Sequence, residues 1–444
     1  MKKFISKILS QNTKNKLHKV EAKWAGVRYG HPSKKLKIIG VTGTKGKTTV
    51  CNMLASVLDA NGIKNAMETT INTKIGDEVI AHKVKDRWVT TPPSAVIQKF
   101  LKDAAEAKCE YAILEVTSQA IDQNRIYGID FDVLAYTNLS HEHLEYHKTR
   151  ENYLNAKLKV FCDNPKAKFI INSDDSNWER FYALPAADKL LYSVKKSVEK
   201  GVIARKILTS ADSVTFTAVY DDGQATIDLS MPGIFNVGNA LAAFSVGLAL
   251  DLDPNNIKAG LENITGVSGR MESIKVSKKQ DFSVIVDYAH NPDSLKNVYE
   301  TVSESIQKAG GKLIAVLGAT GHRDKTKRPL MGALAGHYAD FVIFTNEDPY
   351  DEDPETIMEE VAGGILKGGA KNQWRLNRNY WKVLDRKQAI HKAIKEAKKN
   401  DVVIITGKGA EEVMAIGLHE FIPFSDRKIV RDELIKLFGE DKQN

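Results

Sequence analysis

The sequence predicts an α/β protein in two parts. The first is a mostly parallel central sheet domain with an antiparallel extension, and the second is a Rossmann-like C-terminal domain. Three observations carry this reading. Short apolar strands alternate with helical stretches from residue 37 onward, which builds parallel sheets faced by helices. Asp222-Gly223 sits between the β-rich stretches Val214–Tyr220 and Ala225–Leu229, a hairpin signal. A second alternating run starts after Arg270.

Taken in order, residues 1–36 form a basic leader. Phe4, Ile5, Ile8 and Leu9, then Leu17, Val20 and Trp24, have the spacing of short amphipathic helices. The expectation is a segment packed on the next domain, with an anionic membrane surface as the sharper alternative. Lys37–Val41 reads as a strand, Thr42–Lys47 as a loop, and a helix runs from Thr48 to the stop at Asn61-Gly62. Tyr111–Val116, Val133–Tyr136 and Phe169–Ile171 are further strands, and Asn239–Leu250 is a buried helix. The second run has strands Val284–Val286, Leu313–Leu317, Phe341–Phe344 and Val402–Ile405. Its helices are Pro292–Gln307, Pro329–Ala339, Pro354–Ile365 and Lys387–Lys398. The expected division is 1–36, 37–270 and 271–444.

Composition narrows the function. The net charge is +8, yet residues 1–36 hold ten Lys/Arg against one acid, Glu21, so the body is close to neutral. A basic nucleic-acid groove in the body is therefore not expected. Ala240–Leu250, the most apolar stretch, is about half the length of a membrane span. Lys7 interrupts the apolar run that a signal peptide needs. Cys51, Cys109 and Cys162 lack metal or redox spacing and suit reduced thiols in the cytoplasm.

The strongest local signal is Gly43-Thr44-Lys45-Gly46-Lys47-Thr48-Thr49, between a strand and a helix. Glycines let backbone N–H groups approach phosphate oxygens, and a helix N-terminus favours negative charge. Lys47 can reach terminal phosphates and Thr48 can hold Mg²⁺. The first glycine of the full pattern is displaced, since Val41 stands there, so this is a variant loop and the domain is P-loop-type. Glu115, Asn138, Asp287 and Gly318–Lys327 lie at carboxyl ends of expected strands, the edge where open α/β sheets bind ligands. Glu115 suits a Mg²⁺ carboxylate or a solvated strand end. His141 and His143 suit metal binding or plain polar surface. Lys157, taken alone, is an ordinary lysine. Arg323, Lys325, Lys327 and Arg328 make a basic glycine-rich loop suited to clamping phosphate or carboxylate. Gly407-Lys408-Gly409 repeats the strand-then-glycine design.

Together the motifs resemble the Mur ligase family over about residues 37–440. Those that carry the resemblance are Thr42–Thr49, Thr90-Thr91-Pro92, Glu115–Ser118, Thr137–His147 with Tyr153–Phe161, Gly233–Asn239, Gly269–Glu272, Asp287–Pro292, Arg323–Met331, Gly407–Glu411 and Ser425–Arg427. Within the family they are most similar to the tripeptide-synthetase branch, which adds the third amino acid to UDP-N-acetylmuramoyl-L-Ala-D-Glu. The resemblance implies a cytoplasmic ligase of peptidoglycan synthesis with ATP and Mg²⁺, working through an acyl phosphate. It implies that Gly43, Thr44, Lys45, Gly46, Lys47, Thr48 and Thr49 hold ATP phosphates, with Asn236, Arg270 and Asp287 near the adenosine. It assigns catalytic roles to Lys47, Glu115, His143 and Lys157. Thr48 and Glu115 would hold one Mg²⁺, His143 a second, and Lys157 would be carbamylated. Thr90, Thr91, Thr117, Gln123 and Arg125 would hold the muramoyl peptide, and Arg323, Gly407 and Glu411 the free amino acid.

Three departures mark this chain. The leader stands where the family keeps a UDP-binding domain. The diaminopimelate signature Asp-Asn-Pro-Arg reads Glu347-Asp348-Pro349-Tyr350, and Tyr350 has no guanidinium fork. Val89 and Gln119 replace an asparagine and a histidine of the substrate pocket. The amino acid is thus meso-diaminopimelate or L-lysine. The other readings are a ligase for a lipid-linked muramoyl peptide or a folate, and a non-catalytic nucleotide-binding scaffold. The expected partners are the UDP-linked dipeptide and a free amino acid, with no nucleic acid, and a membrane or partner contact through residues 1–36.

Overall fold

A computed structural model describes residues 11–81, 91–140, 144–210, 213–367 and 373–441. The chain divides into two compact units. One takes in the residues up to 208 with 215–229 and 235–264; the other takes in 209–214, 230–234 and 265–444.

The first unit is built on an eleven-stranded sheet. Its strands are β1 (Lys37–Thr42), β2 (Asn65–Glu68), β3 (Asn72–Ile75), β4 (Glu78–Ala81), β5 (Tyr111–Val116), β6 (Val133–Tyr136), β7 (Lys168–Asn172), β8 (Asp188–Ser193), β9 (Gly201–Thr209), β10 (Val214–Tyr220) and β11 (Gly223–Leu229). They lie in the order β11-β10-β9-β8-β7-β6-β1-β5-β2-β3-β4. The run from β9 to β2 is parallel. Ile38, Ile39 and Val41 of β1 are fully buried, as a parallel sheet covered on both faces requires. The expected hairpin is present: Thr215 bonds to Asp228 and Thr217 to Thr226, the descending register of antiparallel strands. The antiparallel β2-β3-β4 meander at the other edge was not expected from sequence. Its strands are four residues each, too short for a clear alternation to show.

The basic segment differs from expectation in one respect. Gln11–Arg28 is a single helix packed on the helix Ser94–Glu106. Its buried face is Ala22 and Ala25, while Leu17, Val20 and Trp24 point to solvent. Small residues let the helices approach closely, so the larger apolar residues did not mark the packed face. Phe4, Ile5, Ile8 and Leu9 lie outside the described residues.

The second unit holds a six-stranded sheet of β12 (Glu272–Ser273), β13 (Ser283–Asp287), β14 (Leu313–Leu317), β15 (Phe341–Phe344), β16 (Tyr380–Lys382) and β17 (Val402–Thr406). Its order is β12-β13-β17-β14-β15-β16, parallel except for β12. Placing β17 between β13 and β14 brings the loops after all three strands to one carboxyl edge. A small ribbon, β18 (Val413–Ala415) with β19 (Phe421–Pro423), follows. The helix expected over Pro354–Ile365 ends at Ala362, because Gly363-Gly364 breaks it before a 3₁₀ turn. Arg386 and Asp426, both fully buried, make a bidentate pair that ties the helices Arg386–Glu396 and Asp426–Phe438 together.

Candidate active site

In the first unit the glycine loop leaves β1 and opens the helix Lys47–Ala60. The loop after β6 holds it. Thr44 N–H donates to Asn138 O, Lys45 N–H to Asn138 Oδ1 (3.0 Å), and Thr137 Oγ1 donates to Lys45 O (2.7 Å). Gly46 sits at φ 84°, and a Cβ there would lie 2.3 Å from Asn239 Oδ1. Only glycine fits that corner. Asn239 Nδ2 in turn donates to Asn236 Oδ1, so Asn236 reaches the loop through Asn239.

Glu115 lies beside Val41 in the β1–β5 register, which carries its carboxylate to the start of the loop helix. Its Oε2 accepts from Thr48 Oγ1 (2.9 Å) and from both the N–H and the hydroxyl of Thr70. Lys47 Nζ is 4.0 Å from its Oε1 and donates to Thr44 O. Lys157, 1% exposed, donates to Gly43 O (2.7 Å) and lies over the Tyr153 ring. Tyr153 Oη meets Thr44 Oγ1. Thr49 is buried on the same helix turn.

The residues fit a phosphate group with a divalent cation. The helix Lys47–Ala60 opens at a glycine corner, and the N–H groups of a helix's first turn have no partner within it. A hydroxyl and a carboxylate present hard oxygen donors, the kind Mg²⁺ takes along with phosphate oxygens and water. Among the described residues no group of three or more His, Cys, Asp or Glu is placed to hold a metal ion. His143 and Thr90 lie outside the described residues.

A polar chain extends from this centre. Thr91 Oγ1 donates to Glu115 O and meets Thr117 Oγ1, while Thr91 O accepts from Arg125 Nη1 (2.6 Å). Gln123 Oε1 accepts two bonds from Arg125. Gln123 Nε2 reaches Tyr146 Oη, which donates to Asp122 Oδ2. Burial and the Asp122 carboxylate push the Tyr146 phenol up to about 12, so it stays a neutral donor. Asp122 Oδ2 also accepts from Asn15 Nδ2 (2.9 Å), and Asn124 Nδ2 donates to Asn15 O. The basic helix is thereby wired to the group of Thr91, Thr117, Gln123 and Arg125.

In the second unit, Asp287 at the end of β13 accepts from Met271 N–H and Ala289 N–H, and burial raises its carboxyl above the usual range. Arg270 stacks on the Tyr288 ring beside it. Gly407, at φ 112°, packs against Glu347 so closely that a Cβ would lie 2.2 Å from Glu347 Oε2. Lys408, fully buried, is paired with Asp348 and Glu411. The loop of Arg323 abuts the same segment: Gly321 N–H donates to Asp348 O, and Thr320 Oγ1 donates to Glu347 Oε1. Arg323 itself is exposed. Gly407 and, through Lys408, Glu411 thus gather at Glu347 and Asp348, with the loop that carries Arg323 beside them.

Thr70, Asn239, Tyr146 and Asn15 were not singled out by sequence. Asn236-x-x-Asn239, two amides one turn apart on an apolar helix, was the available signal. Thr70, in a loop after a short edge strand, gave none.

A phosphate-type loop on a parallel sheet, followed by a second α/β unit with its own glycine loop, is the arrangement of an ATP-dependent ligase. Residues 41–247 match the Mur ligase middle domain, and 269–409 the Mur ligase glutamate ligase domain. A UDP-N-acetylmuramoyl-L-alanyl-D-glutamate–2,6-diaminopimelate ligase of Bacillus cereus is 37% identical over 413 residues, 91% of this chain and 79% of that protein. Its counterpart in Clostridium botulinum is 37% identical over 92% of this chain and 80% of that protein. A solved structure of such a diaminopimelate ligase superposes with TM-score 0.63 at 30% identity, over 90% of this chain and 79% of that chain. Folylpolyglutamate synthase of Mycobacterium tuberculosis shares the fold, with TM-score 0.69 at 16% identity over 96% of both chains. The chain belongs to the Mur ligase family of ATP-dependent ligases.

Proposed function

We propose that the protein joins an amino acid to UDP-N-acetylmuramoyl-L-Ala-D-Glu in cytoplasmic peptidoglycan precursor synthesis. The reading rests first on 37% identity across nine-tenths of the chain to ligases named for that reaction. The Lys47–Thr48–Glu115 group beside the glycine loop supports it. The γ-phosphoryl group of ATP passes to the D-Glu carboxylate, releasing ADP. The amine then attacks the acyl carbon, phosphate leaves, and the ammonium proton goes to solvent.

In this reading Gly43–Thr49 bind the phosphates, and Lys47 neutralises charge on the oxygens being transferred. Thr48 and Glu115 would hold one Mg²⁺ and His143 a second, and these would supply charge neutralisation between the two anions. Asn236, Arg270 and Asp287 are assigned to the adenosine, and Thr90, Thr91, Thr117, Gln123 and Arg125 to the muramoyl peptide. Arg323, Gly407 and Glu411 are assigned to the incoming amino acid. The relatives named above use diaminopimelate; Tyr350 at the arginine position of that signature keeps L-lysine as the second candidate.

The test is phosphate release with ATP, Mg²⁺, the muramoyl dipeptide nucleotide and a panel of amino acids, with the product identified by mass. Folded protein that turns over none of them would overturn the reading. Lys157 is assigned a carbamate, formed by its amine and CO₂ with loss of a proton. Lys157→Ala should lose most activity and regain part of it with a small added carboxylate. A variant at full rate would refute the carbamate.

A further inference from the structure

The outward face of the helix Gln11–Arg28 has no role in that reading. Leu17, Val20, Trp24 and Val27 are 52%, 63%, 58% and 68% exposed, while Ala22 and Ala25 are 1% exposed. At about 100° per residue the four fall in a stripe roughly 80° wide. Its centre is roughly 150° round the helix from Ala22 and Ala25. The packed side therefore turns the apolar stripe away from the rest of the unit. Lys16 and Lys23 border it on one edge, Lys23 also lying over the Tyr127 ring, and Arg28 with Glu21, the helix's one acid, border it on the other. Arg28 lies over the Trp24 ring.

We infer that this helix lies flat on an anionic phospholipid surface, its stripe in the acyl boundary and its bordering cations among the headgroups. Charge and size choose this occupant. A second copy of the helix would set like charges side by side. A stripe about 15 Å long is too small for a stable protein interface of ~1,000 Å² or more. A bilayer needs no matching groove, and each lysine near its surface adds attraction. Trp24 beside Arg28 is the pairing suited to a boundary that is apolar on one side and wet on the other. Among the described residues no helix is long and apolar enough to cross a membrane, so the association is peripheral and reversible. Its effect would be to hold the ligase at a membrane face while the Asn15 side of the same helix stays bonded to Asp122.

The experiment is co-sedimentation of the full chain with unilamellar vesicles, either phosphatidylglycerol with phosphatidylcholine or phosphatidylcholine alone. Binding is expected only to the anionic vesicles, and it should fall steeply at about 0.5 M salt. Val20→Ser with Trp24→Ser, and separately Lys16→Glu, should each weaken partition about tenfold or more. These three side chains are exposed, so the thermal midpoint and the ATP-dependent rate without vesicles should not move. No binding to anionic vesicles at low salt would overturn the proposal. So would partition unchanged in both variants. A concentration-dependent dimer that Val20→Ser with Trp24→Ser abolishes would assign the stripe to a second copy instead.

Discussion

Two glycine loops, one in each unit, start from the same design and end differently. Gly46-Lys47 and Gly407-Lys408 both put a lysine just past a buried parallel strand. In the first unit, Lys47 keeps its ammonium 4.0 Å from Glu115 and donates to the Thr44 carbonyl. Its loop opens the N-terminus of the helix Lys47–Ala60. In the second, Lys408 is fully buried and shared between Asp348 and Glu411. In the proposed reading the first cation serves the ATP phosphates; the second is consumed in holding its own loop. The same strand, glycine and lysine pattern thus leaves its lysine half-buried at a helix N-terminus in one unit and closed between two carboxylates in the other.

Removing each lysine separates the two cases. Lys47→Ala should lower kcat about 10²–10³-fold with the thermal midpoint little changed, read by phosphate release and calorimetry. Lys408→Met should do the reverse in emphasis. It strands two carboxylates and should cost about 3 kcal/mol of stability by denaturant titration. Adding Asp348→Asn should recover part of that loss. If Lys408→Met leaves stability intact and kcat collapses, the contrast fails.

The second unit's ion pairs should also give it an acid-sensitive branch. Glu352 accepts from His322 N–H and pairs with Lys325 and Arg328, which holds its carboxyl down to about 2 from the ordinary 4.5. A depressed pKa adds stability that is complete above about 4.5 and is lost as pH falls toward 2. Glu352→Gln should lower the midpoint at pH 6 and flatten the fall between pH 4.5 and 2. A fall as steep as in the parent would assign it to other groups.

The smallest effect belongs to the polar chain of the first unit. Asn15→Ala removes one bond to Asp122 and should raise the acceptor KM about threefold, with kcat and the ATP KM held. An equal change in the ATP KM would mean that the helix acts on the whole loop.

The parallel strands were legible because they are short, apolar and flanked by turn residues, as at Tyr111–Val116 and Val402–Thr406. The glycine loop and Glu115 were legible for the same reason, since both are fixed by distance from a strand end. The β2-β3-β4 meander was not, because four-residue strands with Asn, Glu and Lys carry no clear period. The packed face of Gln11–Arg28 was not, because alanine buries well without advertising it. Asn15 and Thr70 were not, because their partners are distant in sequence, 107 residues away for Asn15–Asp122 and 45 for Thr70–Glu115.

The bonds from Thr137 and Asn138 to Lys45 also set a timetable. A ribosome adding about 5–20 residues per second needs on the order of ten seconds to travel from Lys45 to Asn138. Until then neither the clasp on Lys45 nor the strand β6 that carries it exists. Asn239, which fills the corner at Gly46, arrives later still. If the loop binds nucleotide as proposed, a nascent chain cannot capture it early, and ATP can act as a folding ligand only once Asn239 has been made.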